Sequence, residues 1–132
     1  MSGFKTTSQN PCDFFALVQR YFFMLECKET TEGTINFSKI SQLDRLADYI
    51  GMDGVFTYII IWFSSKDKVL AVSAEEAVRI KGLGHKSISL KMLGDEAYNI
   101  IDLPAKKKRV FMDTDFTALI SEVAKIDESR HQ

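Results

Sequence analysis

The stretch RYFFMLECKE, residues 20–29, decides how this chain is read. It is rich in aromatic and aliphatic side chains, and period two sorts it into two faces: Arg20, Phe22, Met24, Glu26 and Lys28 on one, Tyr21, Phe23, Leu25 and Cys27 on the other. Read this way it is a β-strand, with FFALV (Phe14–Val18) just upstream as its hairpin partner. The longer run FFALVQRYFFML also admits a buried helix, because periodicity alone does not separate the two for short apolar runs.

Glu26-Cys27-Lys28 stands apart within that strand, since core strands seldom carry both a carboxylate and an ammonium. Alternation sends Glu26 and Lys28 to the same side of the sheet. A hard divalent cation takes carboxylate and carbonyl oxygens, which Glu26 and the Cys27 backbone carbonyl can supply. Lys28 beside it is placed to orient or polarise an attacking water, or to stabilise developing phosphate charge. Asp13, at the start of the hairpin, is a further carboxylate that an antiparallel return brings toward Glu26. The plain alternative is a surface ion pair Glu26–Lys28 with Asp13 in a turn, because isolated D…ExK matches arise by chance.

Working outward, TTEGTIN reads as a loop. The recurrence of Ile40, Leu43, Leu46, Ala47 and Ile50 then predicts an amphipathic helix of about three turns, capped by Ser38 and stopped by Gly51. VFTYIIIWF (Val55–Phe63) is β-branched and aromatic throughout, as a central strand covered on both faces must be. Residues 64–67 turn the chain into a strand at 68–72, and Ser73-Ala74-Glu75-Glu76 is a capping box opening a helix to Ile80. A short strand at 110–112 precedes a last helix, capped by Asp113 or Thr114, with Phe116, Leu119, Ile120 and Val123 as its buried stripe. The sum is an α/β chain, a mixed β-sheet with helices against it.

Length and charge bound the rest. One hundred and thirty-two residues, 45% hydrophobic, fit one compact domain. Seventeen Lys and Arg against eighteen Asp and Glu give a net charge of −1, so any basic surface must be local. The longest apolar runs, 14–18, 21–25 and 58–63, fall far short of the roughly 20 residues that cross a bilayer. Residues 1–12 hold no apolar h-region, so the sequence predicts a soluble cytoplasmic protein with Cys12 and Cys27 as free thiols.

The densest basic run, Lys106-Lys107-Lys108-Arg109, follows Pro104-Ala105 and reads as a loop that holds phosphates or as a solvated turn. Lys81, His85, Lys86 and Lys91 form a looser basic stretch around Gly82 and Gly84, with His85 a surface or DNA-proximal residue. His85 and His131 are too far apart in sequence to argue a zinc site with the cysteines. No Ser-His-Asp arrangement follows from spacing, and the stripe Phe14, Phe15, Tyr21, Phe22, Phe23 reads as core or dimer interface.

The run from Asp13 through FFALVQRYFFMLECKET, then INFSKISQLDRL, then VFTYIIIWF resembles the PD-(D/E)XK nuclease superfamily. More closely it resembles the RecU-type Holliday junction resolvases of Gram-positive bacteria and their phages. Asp13, Glu26 and Lys28 match the family's D-x12-E-x-K pattern, Glu29-Thr30 continue it, and Gln42 sits where the following helix carries a glutamine. KSISLKMLGDEAYNI and KRVFMDTDFTALISEV look like the family's C-terminal part, so the likeness covers about residues 4–125 of a single domain spanning 1–132. The resemblance implies a restriction-endonuclease-like mixed β-sheet flanked by helices. It implies a homodimer cutting DNA four-way junctions with Mg2+ or Mn2+ and no organic cofactor, in a bacterial or phage-infected cytoplasm. By carry-over Asp13 and Glu26 bind the metal with the Cys27 carbonyl, Lys28 assists the water, and Gln42 supports the site or the scissile phosphate. Lys86 and Lys106 to Arg109 are the DNA contacts expected. Only twelve residues precede Asp13 and none is acidic, so the further glutamate of the family's N-terminal helix is not expected from this chain. Two other readings stay open: a catalytically impaired adaptor on the same fold, and a restriction-type nuclease with fixed cut sites.

Overall fold

A computed structural model describes residues 14–108, 111–114 and 116–131; at 14, 105–108 and 111–114 it is the path of the chain that is described. Strands β1 (Phe14–Val18) and β2 (Tyr21–Thr30) form the expected hairpin, with register running from Val18↔Tyr21 to Phe14↔Leu25. The turn between them puts Gln19 at φ +57°, a left-handed conformation that a glycine would adopt at less cost. From β2 the chain crosses over through β3 (Thr34–Asn36), a 3-10 turn (Phe37–Lys39) and α1 (Leu43–Ala47) to reach β4 (Val55–Phe63). β4 lies parallel to β2, from Phe22↔Val55 to Thr30↔Phe63. A parallel neighbour demands such a crossover, which carries a helix onto the sheet face.

β5 (Lys68–Ser73) returns antiparallel to β4, then come α2 (Ala74–Gly82), β6 (Ser87–Ser89), β7 (Ile101–Leu103), β8 (Ala105–Lys108), β9 (Phe111–Thr114) and α3 (Thr117–Arg130). The main sheet is mixed, in the order β1-β2-β4-β5-β7, with two small ribbons, β3-β6 and β8-β9, beside it. β4 is its middle strand and is buried on both faces, as its unbroken apolar sequence predicted. One face packs Met24, Ile59, Ile61, Leu70 and Val72 against α1, α2 and the β3-β6 ribbon, through Leu43, Leu46, Ala77, Ile80, Ile35 and Ile88. The other packs Phe23, Phe56, Tyr58 and Ala71 against Leu119 and Val123 of α3. No described helix is long and apolar enough to cross a membrane.

Local detail departs from expectation in three places. The three-turn helix from Ser38 is instead a short α-helix, Leu43–Ala47, flanked by tight turns: Ile40, Leu43, Tyr49 and Ile50 each donate to the carbonyl three residues back, while Leu46 N–H reaches four back, to Gln42. Residues three apart eclipse one another in 3-10 geometry, so Ile40, Leu43 and Leu46 are still buried together, while Ser38 caps nothing and Gln42 takes the N-cap position. Asp113 and Thr114 do not cap the last helix, because they lie in β9. Phe116 stands at its N-cap, exposed rather than in the stripe. Strands β3, β6, β7 and β8 were not anticipated. Three of them are three residues long, and pairing across the sheet rather than local pattern makes them strands. The cap at Ser73 is as predicted: its hydroxyl accepts from the Glu76 N–H at 3.0 Å.

Candidate active site

The alternation of β2 turns Met24, Glu26 and Lys28 toward the face covered by α1, while Leu25 and Cys27 pack on the opposite face. Glu26 stands beside Ile59 and Lys28 beside Ile61, two isoleucines with no exposure. The Glu26 side chain is therefore 1% exposed, and the Lys28 ammonium, 27% exposed, lies 2.9 Å from its Oε2. This is not a surface ion pair. A carboxylate in so apolar a layer persists only with a cation held against it, and here the pair has a buried acid end and a wet basic end.

Gln42 holds the N-cap position of α1, the helix whose Leu43 and Leu46 pack in one cluster with Met24 and Ile59. Its Oε1 is buried and has no hydrogen-bond partner among the described residues. An orphaned buried carbonyl oxygen costs stability, about 1–3 kcal/mol, and is the kind of group that a ligand satisfies. The half-buried Cys27 side chain packs with the α3 layer, on the face opposite Glu26 and Lys28.

Asp13 and Arg109 lie outside the described residues. The β1–β2 ladder is described as far as Phe14↔Leu25, one residue short of both Asp13 and Glu26 in chain order. Lys106, Lys107 and Lys108 are not in a loop: they belong to β8, paired with Asp113, Met112 and Phe111 of β9 in a ribbon separate from the main sheet. Lys86 is exposed in the turn before β6, and its carbonyl accepts from the Phe37 N–H at 3.0 Å.

Two features escaped the sequence. An open groove of about 490 Å³ begins where β2 ends and runs along Thr30, Thr34, Asn36 and Lys39. The Thr30 hydroxyl shapes its rim, accepting from the Glu32 N–H at 3.1 Å and donating to the Thr34 carbonyl at 3.3 Å. At the other end of the sheet His131 joins the C-terminus of α3 to the turn before β4. Its Nδ1 lies 2.8 Å from the Asp127 carbonyl and its Nε2 3.0 Å from Asp53 Oδ1. The spacing of histidines in sequence gave no hint of it, because Asp53 and His131 meet only through the packing of α3.

A mixed five-stranded sheet with helices on both faces is the architecture of the restriction-endonuclease-like fold class. The family of Recombination protein U, RecU, matches residues 2–110. The chain belongs to that family, the RecU-type Holliday junction resolvases of DNA recombination. A search of curated proteins finds no match.

Proposed function

We propose that this chain is a metal-dependent endonuclease that hydrolyses DNA phosphodiester bonds at four-way junctions, working as a homodimer whose protomer is one nuclease domain over residues 1–132. The observation that carries the reading is the buried Glu26 carboxylate, paired to Lys28 on the face that α1 covers; Gln42 at the start of α1 has a buried Oε1 with no hydrogen-bond partner among the described residues. The donors this reading calls on are oxygens: the Glu26 carboxylate, the Gln42 amide oxygen and the Cys27 backbone carbonyl. That set fits Mg2+ or Mn2+ and not a thiolate-seeking metal. The reading further requires the β1–β2 register to extend one pair beyond Phe14↔Leu25, so that Asp13 faces Glu26 as a second carboxylate. When bound, such an ion supplies Lewis acidity toward the phosphate and a lowered water pKa.

The chain's own groups do the rest. Glu26 and Asp13 would hold the ion and Gln42 would add its oxygen, while Lys28 would donate to the attacking oxygen or to the phosphate as charge develops there. Its partial exposure leaves the ammonium within reach of solvent and substrate while Glu26 stays buried. Lys86, the lysines of β8 and Arg109 are the DNA contacts in this reading. Support for a homodimer comes from edge strand β1, which presents Phe15 and Leu17 to solvent, Leu17 at 72% exposure. No organic cofactor is needed for hydrolysis.

The test is cleavage of labelled four-way junction, linear duplex and single-stranded DNA with Mg2+ or Mn2+, comparing wild type with Glu26→Ala and Lys28→Ala. Junction cutting by wild type, lost in both variants while junction binding survives, is the expected result. Cutting retained by both purified variants refutes the mechanism. A folded wild type that binds junctions and cuts no substrate identifies an adaptor instead, and fixed cut sites on linear duplex identify a restriction-type enzyme.

A further inference from the structure

The molecule carries a net charge of −1, so its affinity for a polyanion must come from local clusters of cations, and one such cluster adjoins the catalytic strand. The groove that opens at the end of β2 runs past Asn36 and Lys39. A second groove shares Asn36 with it and continues between Ser38, Lys81, His85 and Lys86. The two meet at Asn36, and taken together they run from Thr30, two residues beyond Lys28, to Lys81 and Lys86. Lys39, Lys81 and Lys86 are all exposed along this path. Carboxylates line only its near end, at Glu29 and Glu32, so positive charge rises with distance from the catalytic pair.

The path is also rigid. The β3-β6 ribbon that forms its floor is nailed to the core by Ile35 and Ile88, 4% and 0% exposed. Phe37 N–H binds the Lys86 carbonyl at 3.0 Å and Leu90 N–H binds the Gly33 carbonyl at 2.9 Å, which fixes the second groove against the first. His85 is tied down by its Nε2 contact with the Tyr98 hydroxyl at 3.0 Å. A charged surface on fixed backbone loses less entropy on binding than one on mobile loops.

Resting on the endonuclease reading above, we propose that this path is the exit track for one DNA arm. The strand leaving the cut runs from Thr30 past Asn36 and Lys39, and its phosphates are held by Lys81 and Lys86. Asn36 and Ser38 contribute neutral hydrogen bonds to the backbone, which position the strand without reading its sequence.

The experiment measures four-way-junction binding and cleavage against salt for wild type, Lys81→Ala/Lys86→Ala, and Lys125→Ala on the remote face of α3. Each phosphate contact contributes about 0.9 to the slope of log K against log salt. The double variant is expected to show a slope shallower by about 1.8 and a raised KM. Lys125→Ala keeps the wild-type slope. Neutral methylphosphonate linkages placed a few nucleotides to one side of the cut should weaken wild type and not the double variant, which locates the track. An unchanged slope in the double variant overturns the track, and Glu26→Ala read beside it shows whether the nuclease reading still stands. A wild type that neither binds nor cuts junctions removes both.

Discussion

Replacing Gln42 by methionine separates the site's chemistry from its stability. Methionine is nearly isosteric with glutamine, and the Gln42 side chain makes no capping bond at the start of α1, so the change removes little besides the amide. That amide holds a buried oxygen with no hydrogen-bond partner among the described residues. Relief of an unsatisfied carbonyl is worth about 1–3 kcal/mol at full burial. Because Gln42 is only half-buried as a whole, the lower end applies, and a gain of about 1 kcal/mol raises Tm by roughly 3–5 °C in a domain of this size. Metal affinity should move the other way, by about 10–100-fold, the loss typical when a residue supporting a metal site is removed. The assay is a pair of thermal melts for each protein, with and without Mg2+, beside junction cleavage. Wild type should gain stability as Mg2+ is raised, about 2.7 kcal/mol at a hundredfold excess over Kd, whereas Gln42→Met should start higher and gain less. A variant that melts several degrees below wild type, or one that cuts equally well at low Mg2+, refutes the assignment of that oxygen to the ion.

Lys28→Met takes the ammonium from its place 2.9 Å from the buried Glu26 carboxylate, and should cost about 3 kcal/mol, the lower end for a broken buried pair because Lys28 is partly exposed. Adding Glu26→Gln should recover much of this in urea melts, and an unaltered melt for Lys28→Met sinks the argument. Glu76 is gripped by both guanidinium arms of Arg79, at 2.7 and 2.8 Å, and by the Asn99 N–H at 2.8 Å. Arg79, ahead of the Asn99 bond, holds its carboxyl below the usual 4.5 against the opposing effect of burial. A depressed carboxyl stabilises the fold above its unfolded pKa and loses that stabilisation as pH falls through the folded one. The stability gap between wild type and Glu76→Gln should therefore be constant at neutral pH and close in the acid range below 4.5, and a gap independent of pH refutes it. His131 behaves in the opposite sense. The Asp127 carbonyl first, then the Asp53 and Asp127 carboxylates, raise its pKa above 6.5, so its contribution is complete below 6.5 and fades as pH rises through the folded value. His131→Ala should lower Tm at about pH 5.5 and converge with wild type at about pH 8.5, and equal losses at both would contradict the bridge.

Much of the fold was legible because its decisive elements are local patterns. Period two in RYFFMLECKE made β2 a strand and put Glu26 and Lys28 on one side. Unbroken β-branched and aromatic residues marked β4 as central, and Ser73 with Glu76 marked the start of α2. These signals depend on the sterics of one segment and need no partner. Although the helix predicted after Ser38 is shortened to Leu43–Ala47 with tight turns around it, the prediction identified the right buried residues, since apolar side chains three apart meet in either helical geometry.

What only the tertiary structure decided is everything that one segment acquires from another. The three-residue strands β3, β6 and β7 exist because a neighbouring edge pairs with them. Glu26 is buried, rather than part of a surface pair, because Ile59, Ile61 and the α1 layer close over it, and that closure is set by a parallel crossover spanning residues 31–54. The basic path from Asn36 to Lys81 likewise joins residues more than forty positions apart through the β3-β6 ribbon. That Glu26 and Lys28 share one face of β2 follows from the sequence alone, because alternation along a strand is a property of the backbone itself. Their desolvation, which gives the Glu26–Lys28 pair its strength and leaves the Gln42 oxygen without a partner among the described residues, is a property of what packs over them, and no single segment encodes it.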